Sequence, residues 1–197
     1  MIKVKMCGLR REIDIEYANT LLPDFIGYVF AEKSRRYITP ENAHKLTQIL
    51  DTRIIPVGVF VDSPVEDVIS LVKNNTVKIV QLHGSESEEY ISELHAENIT
   101  VIKAFIVKSD YDIQLANDST ADFVLLDAGM GDGRTFNHRL LKNIARPYFL
   151  AGGLSPENIF DAVKLNPYAV DVSSGIETDG FKDFDKMKKF TDTIRKD

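Results

Sequence analysis

Cys7 and Asp127 are the side chains of this sequence best suited to proton transfer. Cys7 is the only cysteine among 197 residues and ends an apolar run that begins at Ile2. Asp127 directly follows the run from Phe123 to Leu126, where a carboxylate must be paired, exposed or functional. A thiolate can take a proton from carbon and a carboxylic acid can give one to oxygen, each contributing about 10²- to 10⁴-fold to a rate. Cys7 could also be a small buried side chain that only fills space in the core. Spacing alone favours this second interpretation.

A thiolate at Cys7 requires a nearby positive charge or backbone dipole. A cysteine with its ordinary pKa of about 8.5 is mostly protonated at neutral pH. Alternation along a strand places Lys5 on the same side as Cys7. We therefore expect the Lys5 ammonium to favour the thiolate.

Other polar side chains follow the second and fourth apolar runs. Arg35 and Arg36 lie in the loop after the second run, and a guanidinium can bind a planar carboxylate through two parallel hydrogen bonds. Two solvated loop arginines are the alternative. Gln81 and His83 are two residues apart and face the same way along a strand, with His83 either lining a site or acting as a base.

Two glycine-containing turns predict a phosphate site. Gly152-Gly153 precedes a helix start at Ser155 to Asn158, and Ser174-Gly175 follows the last apolar run. Uncovered backbone N–H groups and a helix N-terminus attract an anion, although tight turns alone would also require glycine. The segment 128–135 is similar to a nucleotide P-loop with arginine in place of its lysine. A flexible loop over the site is the preferred interpretation there.

The elements that must position these residues alternate regularly. Helical patterns such as Pro40 to Leu50, Pro64 to Lys73, Glu86 to Glu97 and Pro156 to Leu165 separate eight apolar runs. The runs begin near Ile2, Phe25, Ile54, Val77, Thr100, Asp122, Pro147 and Tyr168. Eight strands alternating with helices predict an α/β fold, a single-domain (β/α)8 TIM barrel with short loops over residues 1–197. In such a barrel the carboxyl ends of all strands meet at one face.

Composition excludes several classes of partner. The net charge is −6 without an extended basic cluster, which argues against nucleic acid. The sequence contains neither a membrane-spanning apolar run nor a signal-peptide pattern, and it has one cysteine. We therefore expect no membrane partner and a cytoplasmic location.

Seven segments together resemble, in order, the motifs of the phosphoribosylanthranilate isomerase family. They are Lys5 to Leu9, Gly27 to Phe30, Ser34 to Pro40, Val57 to Val61, Val80 to Gly84, Leu150 to Leu154 and Asp171 to Glu177. The resemblance runs nearly end to end and reverses the preference for Cys7 as a filler. It implies an Amadori rearrangement of a phosphoribosyl anthranilate in tryptophan biosynthesis, without a metal or organic cofactor.

The resemblance also implies a role for each candidate residue. Asp127 matches the general acid and Cys7 the general base, while Arg36 matches the residue that binds the anthranilate carboxylate. Gln81 and His83 are expected to bind substrate, and the phosphate is expected at Gly152, Gly153, Ser174 and Gly175. The expected partner is a small phosphosugar, bound by a monomer or a homodimer.

Some residues differ from the family pattern, and two alternative functions stay open. Met130, Asp132, Asn137 and His138 differ from the family pattern after strand six, and Arg10 replaces a small hydroxylated residue. A phosphosugar-binding barrel without catalysis is one alternative. Another is a related phosphoribosyl isomerase with a broader substrate range, which would need two phosphate sites where the sequence indicates one.

Overall fold

Eight parallel strands form a closed barrel in which each strand pairs with the next and the last pairs with the first. The structure, a computed structural model, describes residues 1–127 and 138–195. The strands are β1 Lys3–Cys7, β2 Phe25–Val29, β3 Ile55–Phe60, β4 Ile79–Leu82, β5 Thr100–Ile106, β6 Phe123–Asp127, β7 Tyr148–Ala151 and β8 Ala169–Val172. The barrel and the strand order expected from the apolar runs are confirmed.

Helices follow the strands. They are α1 Glu12–Leu21, α2 Pro40–Gln48, α3 Val65–Lys73, α4 Glu88–Ala96, α5 Asp110–Asp118, α6 His138–Leu141, α7 Ile159–Val163 and α8 Phe184–Arg195. Thr39 caps α2 by accepting a hydrogen bond from the Asn42 N–H, with Pro40 in the first helical turn. Within the described residues, no helix combines the length and apolar character needed to cross a membrane.

The helix after β7 is shorter than the sequence pattern predicts. It begins at Ile159 rather than at Pro156 and ends at Val163. The Asn158 side chain accepts from the Ser155 N–H at 2.8 Å and donates to the Gly153 carbonyl at 2.9 Å. The Ile159 N–H bonds to the Ser155 carbonyl at 3.1 Å, so residues 155–158 form a capped turn that leads into the helix.

After β8 the chain forms a short turn and a β-hairpin next to the carboxyl ends of the strands. A 3₁₀ turn at Ser174–Ile176 leads into a hairpin of β9 Glu177–Thr178 and β10 Phe181–Lys182, paired antiparallel. We call residues 177–182 the β9–β10 hairpin. Its two ends come together because Lys182 is directly opposite Glu177.

The barrel interior is layered. An apolar cluster fills it with inward side chains from alternate strand positions, namely Phe25, Val57, Ile102, Leu125, Phe149, Ala151 and Ala169. A second, larger cluster lies between the strands and the helices. On β1 and β8, Lys5 and Asp171 follow the apolar layer and are buried inside the barrel. The apolar layer therefore closes the barrel beneath the carboxyl ends of the strands.

Phe149 tests this interior layer. Its side chain is 1% exposed and contacts the rings of Phe25, Phe123 and Tyr168. We expect Phe149→Ala to lower the free energy of unfolding by about 3–5 kcal/mol, because it leaves a cavity in a packed core. Chemical denaturation measures this change. In the matched control, Phe160→Ala at a 56% exposed position should lower it by about 1 kcal/mol or less; equal effects would contradict the layered core.

Candidate active site

A cavity of about 370 Å³ opens at the carboxyl ends of the strands. The candidate residues that line it are Cys7, Arg36, Gln81, His83, Asp127, Gly152, Gly153 and Ser174. Residues from β1, β4, β6, β7 and β8 or their following loops therefore meet at one face, as the barrel predicts. Gly175 is the one candidate that does not line the cavity.

Cys7 packs directly against the backbone of β2. It is opposite Gly27, where an added Cβ would lie 2.7 Å from the Cys7 Sγ. The next residue, Gly8, has a φ of +81°, a conformation that favours glycine. The Ser173 hydroxyl donates to the Cys7 carbonyl at 3.0 Å, which ties the end of β1 to the loop after β8.

Burial raises the pKa of the Cys7 thiol, while the Lys5 and Lys182 ammonium groups act in the opposite direction. The expectation that Lys5 favours the thiolate is therefore correct in sign, but the net shift goes the other way. The Lys5 charge is shared, because its Nζ is 3.0 Å from the Asp171 Oδ2. The Asp171 carboxylate also raises the pKa of Cys7.

The Lys5–Asp171 ion pair lies at the floor of the cavity, where Asp171 is one of the lining residues. The two residues are directly opposite each other on β1 and β8, and the Lys5 side chain is 0% exposed. Burial raises the pKa of Asp171, opposed by Lys5. Among the described residues, the Asp171 Oδ1 and the Gln81 Oε1 are buried without a hydrogen-bond partner. Such acceptors are destabilising when left unpaired, and both belong to residues that line the cavity.

Asp127, His83 and Gln81 form a row across the cavity. The His83 Nε2 lies 4.0 Å from the Asp127 Oδ2, and the Gln81 Nε2 lies 2.9 Å from the His83 Nδ1. Burial lowers the pKa of His83, and the Asp127 charge opposes that shift. The His83 Nδ1 side of the ring contacts the Gln81 amide, and the Nε2 side faces Asp127. This arrangement suits a polar lining residue better than a base.

The glycine turns differ from their expected geometry. Gly152 and Gly153 line the cavity with φ values of +101° and +63°, so the turn itself requires glycine. The helix expected beside them begins at Ile159, after a capped turn at Ser155 to Asn158. At Gly175 an added Cβ would lie 1.9 Å from the Leu154 carbonyl oxygen. Gly175 therefore allows the loops after β7 and β8 to pack together.

Arg36 is held by a carboxylate that the sequence reasoning did not assign a role. Its Nε and Nη2 donate to the two carboxylate oxygens of Glu177, each at 2.7 Å. Lys182 donates to the same carboxylate at 2.7 Å. Glu177 is the last residue of the family-like segment Asp171 to Glu177, which is the sequence signal for its importance. Lys182 gives no local signal, because the hairpin alone brings it back to the site.

Several sequence observations concern residues that are not described. The P-loop-like segment and the departures Met130, Asp132 and Asn137 lie outside the described residues, as does the side chain of His138. Arg10 is described: its guanidinium donates to the Arg35 carbonyl at 2.6 Å and to the Gly180 carbonyl at 3.3 Å. In the ranges 1–127 and 138–195, His, Cys, Asp and Glu side chains form no group of three that could hold a metal ion.

Comparison with known proteins decides the family. The model of the family N-(5'-phosphoribosyl)anthranilate (PRA) isomerase matches residues 4–193. The chain belongs to this family. A PRA isomerase from Thermoanaerobacter sp. (strain X514) is 44% identical over 203 residues, which cover 99% of this chain and 98% of that protein.

Solved PRA isomerase structures have the same fold. One, in complex with reduced 1-(o-carboxyphenylamino)-1-deoxyribulose 5-phosphate, is 36% identical with a TM-score of 0.89 and full coverage of both chains. Another describes monomers of the dimeric PRA isomerase from Thermotoga maritima and is 35% identical, with a TM-score of 0.89 and full coverage of both chains. The barrel is thus shared along the whole length.

The close contact of Gly27 with Cys7 provides a test of the site geometry. We expect Gly27→Ala to lower the free energy of unfolding by about 1–3 kcal/mol, because the new methyl group overlaps the thiol. In a Cys7→Ala background the overlap with sulfur is removed, and the same substitution should be less destabilising by at least about 0.5 kcal/mol. Denaturation of the four proteins of this cycle measures the coupling. Additive effects would contradict the contact.

Proposed function

We propose that this protein converts N-(5-phosphoribosyl)anthranilate to 1-(2-carboxyphenylamino)-1-deoxyribulose 5-phosphate, with Asp127 as general acid and Cys7 as general base. The overall activity, an aldose–ketose isomerisation in tryptophan biosynthesis, follows from the family and its named relatives. The residue roles are our assignment. The observation that carries it is the meeting of Cys7, Asp127 and Arg36 in one cavity.

Asp127 would act first. Its side chain is 30% exposed at the carboxyl end of β6, so it can contact a ligand in the cavity. As an acid it donates a proton to the furanose ring oxygen. The bond between that oxygen and C1 breaks, and the nitrogen lone pair forms the C1=N bond of an iminium. The His83 ring faces Asp127, with Nε2 at 4.0 Å from Oδ2, and would help to orient that carboxyl group.

Cys7 would act second. Its thiolate removes the proton from C2, and the electrons of that C–H bond form a C1=C2 double bond while the iminium nitrogen becomes neutral. The resulting enolamine tautomerises to the ketose. Burial keeps most of the thiol protonated before substrate binds. The positive iminium created in the first step would itself favour the thiolate, since an opposite charge nearby stabilises the charged form.

The remaining candidates would bind the ends of the substrate. Arg36 takes the anthranilate carboxylate, and Gly152, Gly153 and Ser174 surround the phosphate, with Gly175 holding the two loops together. Gln81 and His83 line the space between these ends. A phosphosugar ligand is supported by the solved relative that binds a reduced deoxyribulose phosphate. Among the described residues we propose this one phosphate site, which favours this substrate over one phosphorylated at both ends.

Three further expectations stay predictions. The relative from Thermotoga maritima is dimeric, and this chain is expected to be a monomer or a homodimer. Catalysis without a metal or organic cofactor and a cytoplasmic location are also expected.

The two proton-transfer roles can be tested by substitution. We expect Cys7→Ala and Asp127→Asn each to lower kcat by at least about 10²-fold, because each removes one proton-transfer group. Turnover is followed by the loss of substrate fluorescence, and circular dichroism checks the fold. Asp161→Asn, at a 68% exposed side chain paired with Lys164 on the protein surface, is the matched control and should retain full activity. Near-normal turnover of both site variants would overturn the assignment.

A growth assay separates catalysis from simple ligand binding. The wild-type gene should rescue a tryptophan-requiring strain that lacks PRA isomerase, and the Cys7→Ala gene should not. A binding barrel without catalysis would instead gain thermal stability with the ligand while failing to rescue. That outcome, with the protein present in the cells, would refute the isomerase.

A further inference from the structure

The β9–β10 hairpin holds a buried charge network behind the proposed carboxylate-binding arginine. The Glu177 side chain is 7% exposed, and the Lys182 side chain is 1% exposed. One Glu177 oxygen accepts from both Arg36 and Lys182, at 2.7 Å each, and the other accepts from Arg36 at 2.7 Å. A lysine this deeply buried requires an explanation.

Glu177 determines which edge of the guanidinium is available. It occupies the edge formed by Nε and Nη2, and a guanidinium has five N–H donors in a fixed plane. Among the described residues, Arg36 Nη1 has no hydrogen-bond partner in the structure. Because Arg36 lines the cavity, the edge formed by Nη1 and the second Nη2 hydrogen remains for a ligand carboxylate.

Lys182 fixes Glu177 in turn. Besides Glu177, its ammonium donates to the Ser173 carbonyl at 3.0 Å and lies 3.5 Å from the Ser173 hydroxyl. Ser173 also bonds to the Cys7 carbonyl at 3.0 Å. Burial would raise the pKa of Glu177, but hydrogen bonds and charge from Arg36 and Lys182 outweigh it and lower that pKa to about 2. The carboxylate therefore stays charged at neutral pH.

Packing restricts the conformations that the Arg36 side chain can adopt. An added Cβ at Gly8 would lie 2.3 Å from the Arg36 Cδ, so the arginine stem lies directly on the backbone after β1. The far end is held by two parallel hydrogen bonds to Glu177. An arginine fixed at both ends presents its remaining edge with little loss of side-chain entropy on binding.

We infer that Glu177 and Lys182 are positioning residues that set the preference of the site for a carboxylate on the aromatic ring. Glu177 and Lys182 are not among the residues that line the cavity. Both act through Arg36. This inference rests on the proposed function, because it takes Arg36 as the carboxylate-binding group. It adds the origin of specificity at that end of the substrate.

Two ligands separate positioning from general binding. The first is reduced 1-(2-carboxyphenylamino)-1-deoxyribulose 5-phosphate, and the second is the same molecule without the ring carboxylate. Calorimetry gives both dissociation constants for each protein, and their ratio is the carboxylate preference. We expect Glu177→Gln and Lys182→Met to reduce this preference by about ten- to a hundredfold. Affinity for the second ligand should change little.

Lys186→Met is the matched control. Lys186 is an exposed lysine that donates to the backbone carbonyl of Glu177 at 2.7 Å, not to its carboxylate. This variant should keep the wild-type preference for the carboxylate. Lys182→Arg keeps a positive charge at this position, so it should retain most of the preference that Lys182→Met loses. If Lys182→Met does not fold, the isosteric Glu177→Gln answers the same question.

The possible outcomes are distinguishable. A wild-type protein that binds neither ligand would overturn the proposed function and this inference with it. A wild-type protein that prefers the carboxylate, with the same preference in Glu177→Gln and in folded Lys182→Met, would overturn the inference alone. An equal loss of affinity for both ligands would also overturn it, because it indicates a general structural role.

Discussion

The barrel closes where β1 pairs with β8, and at this seam Lys5 is directly opposite Asp171. The two side chains form an ion pair inside the barrel, above the apolar layer and beneath the cavity. Removing one partner of such a pair leaves an uncompensated buried charge and is strongly destabilising. The register of the closing strands is therefore tied to the charges under the site, and Cys7 is two residues beyond Lys5 on the same strand.

A second buried lysine paired with a carboxylate lies beside Cys7. Lys182 is also buried near the thiol and is paired with its own carboxylate, Glu177. Each cation that would favour the thiolate is thus largely neutralised by a partner, and burial decides the direction of the Cys7 pKa. A site of this kind holds its charges in place before the substrate arrives. The first chemical step would then supply the additional positive charge that the base requires.

The sequence predicts the barrel well because its signals are local. Apolar runs and the helical patterns between them depend on nearby residues, and the strands begin close to the positions expected. Cys7, Asp127 and Arg36 could be named because they follow strands or belong to recognisable motifs. The helix expected from Pro156 begins at Ile159 instead, after a turn capped by the side chains of Ser155 and Asn158. Lys182 and the pairing of Lys5 with Asp171 depend on contacts between residues far apart in the sequence, which local patterns do not contain.

The charge state of the single cysteine is the most direct test of this account. The rate of Cys7 alkylation across a range of pH gives the ionisation midpoint of the only thiol in the chain. We expect a wild-type midpoint above the ordinary range for cysteine, because burial dominates. In Asp171→Asn the midpoint should fall, since a negative charge is removed while both lysines remain. A wild-type midpoint at or below the ordinary range, or an unchanged or higher midpoint in Asp171→Asn, would contradict it.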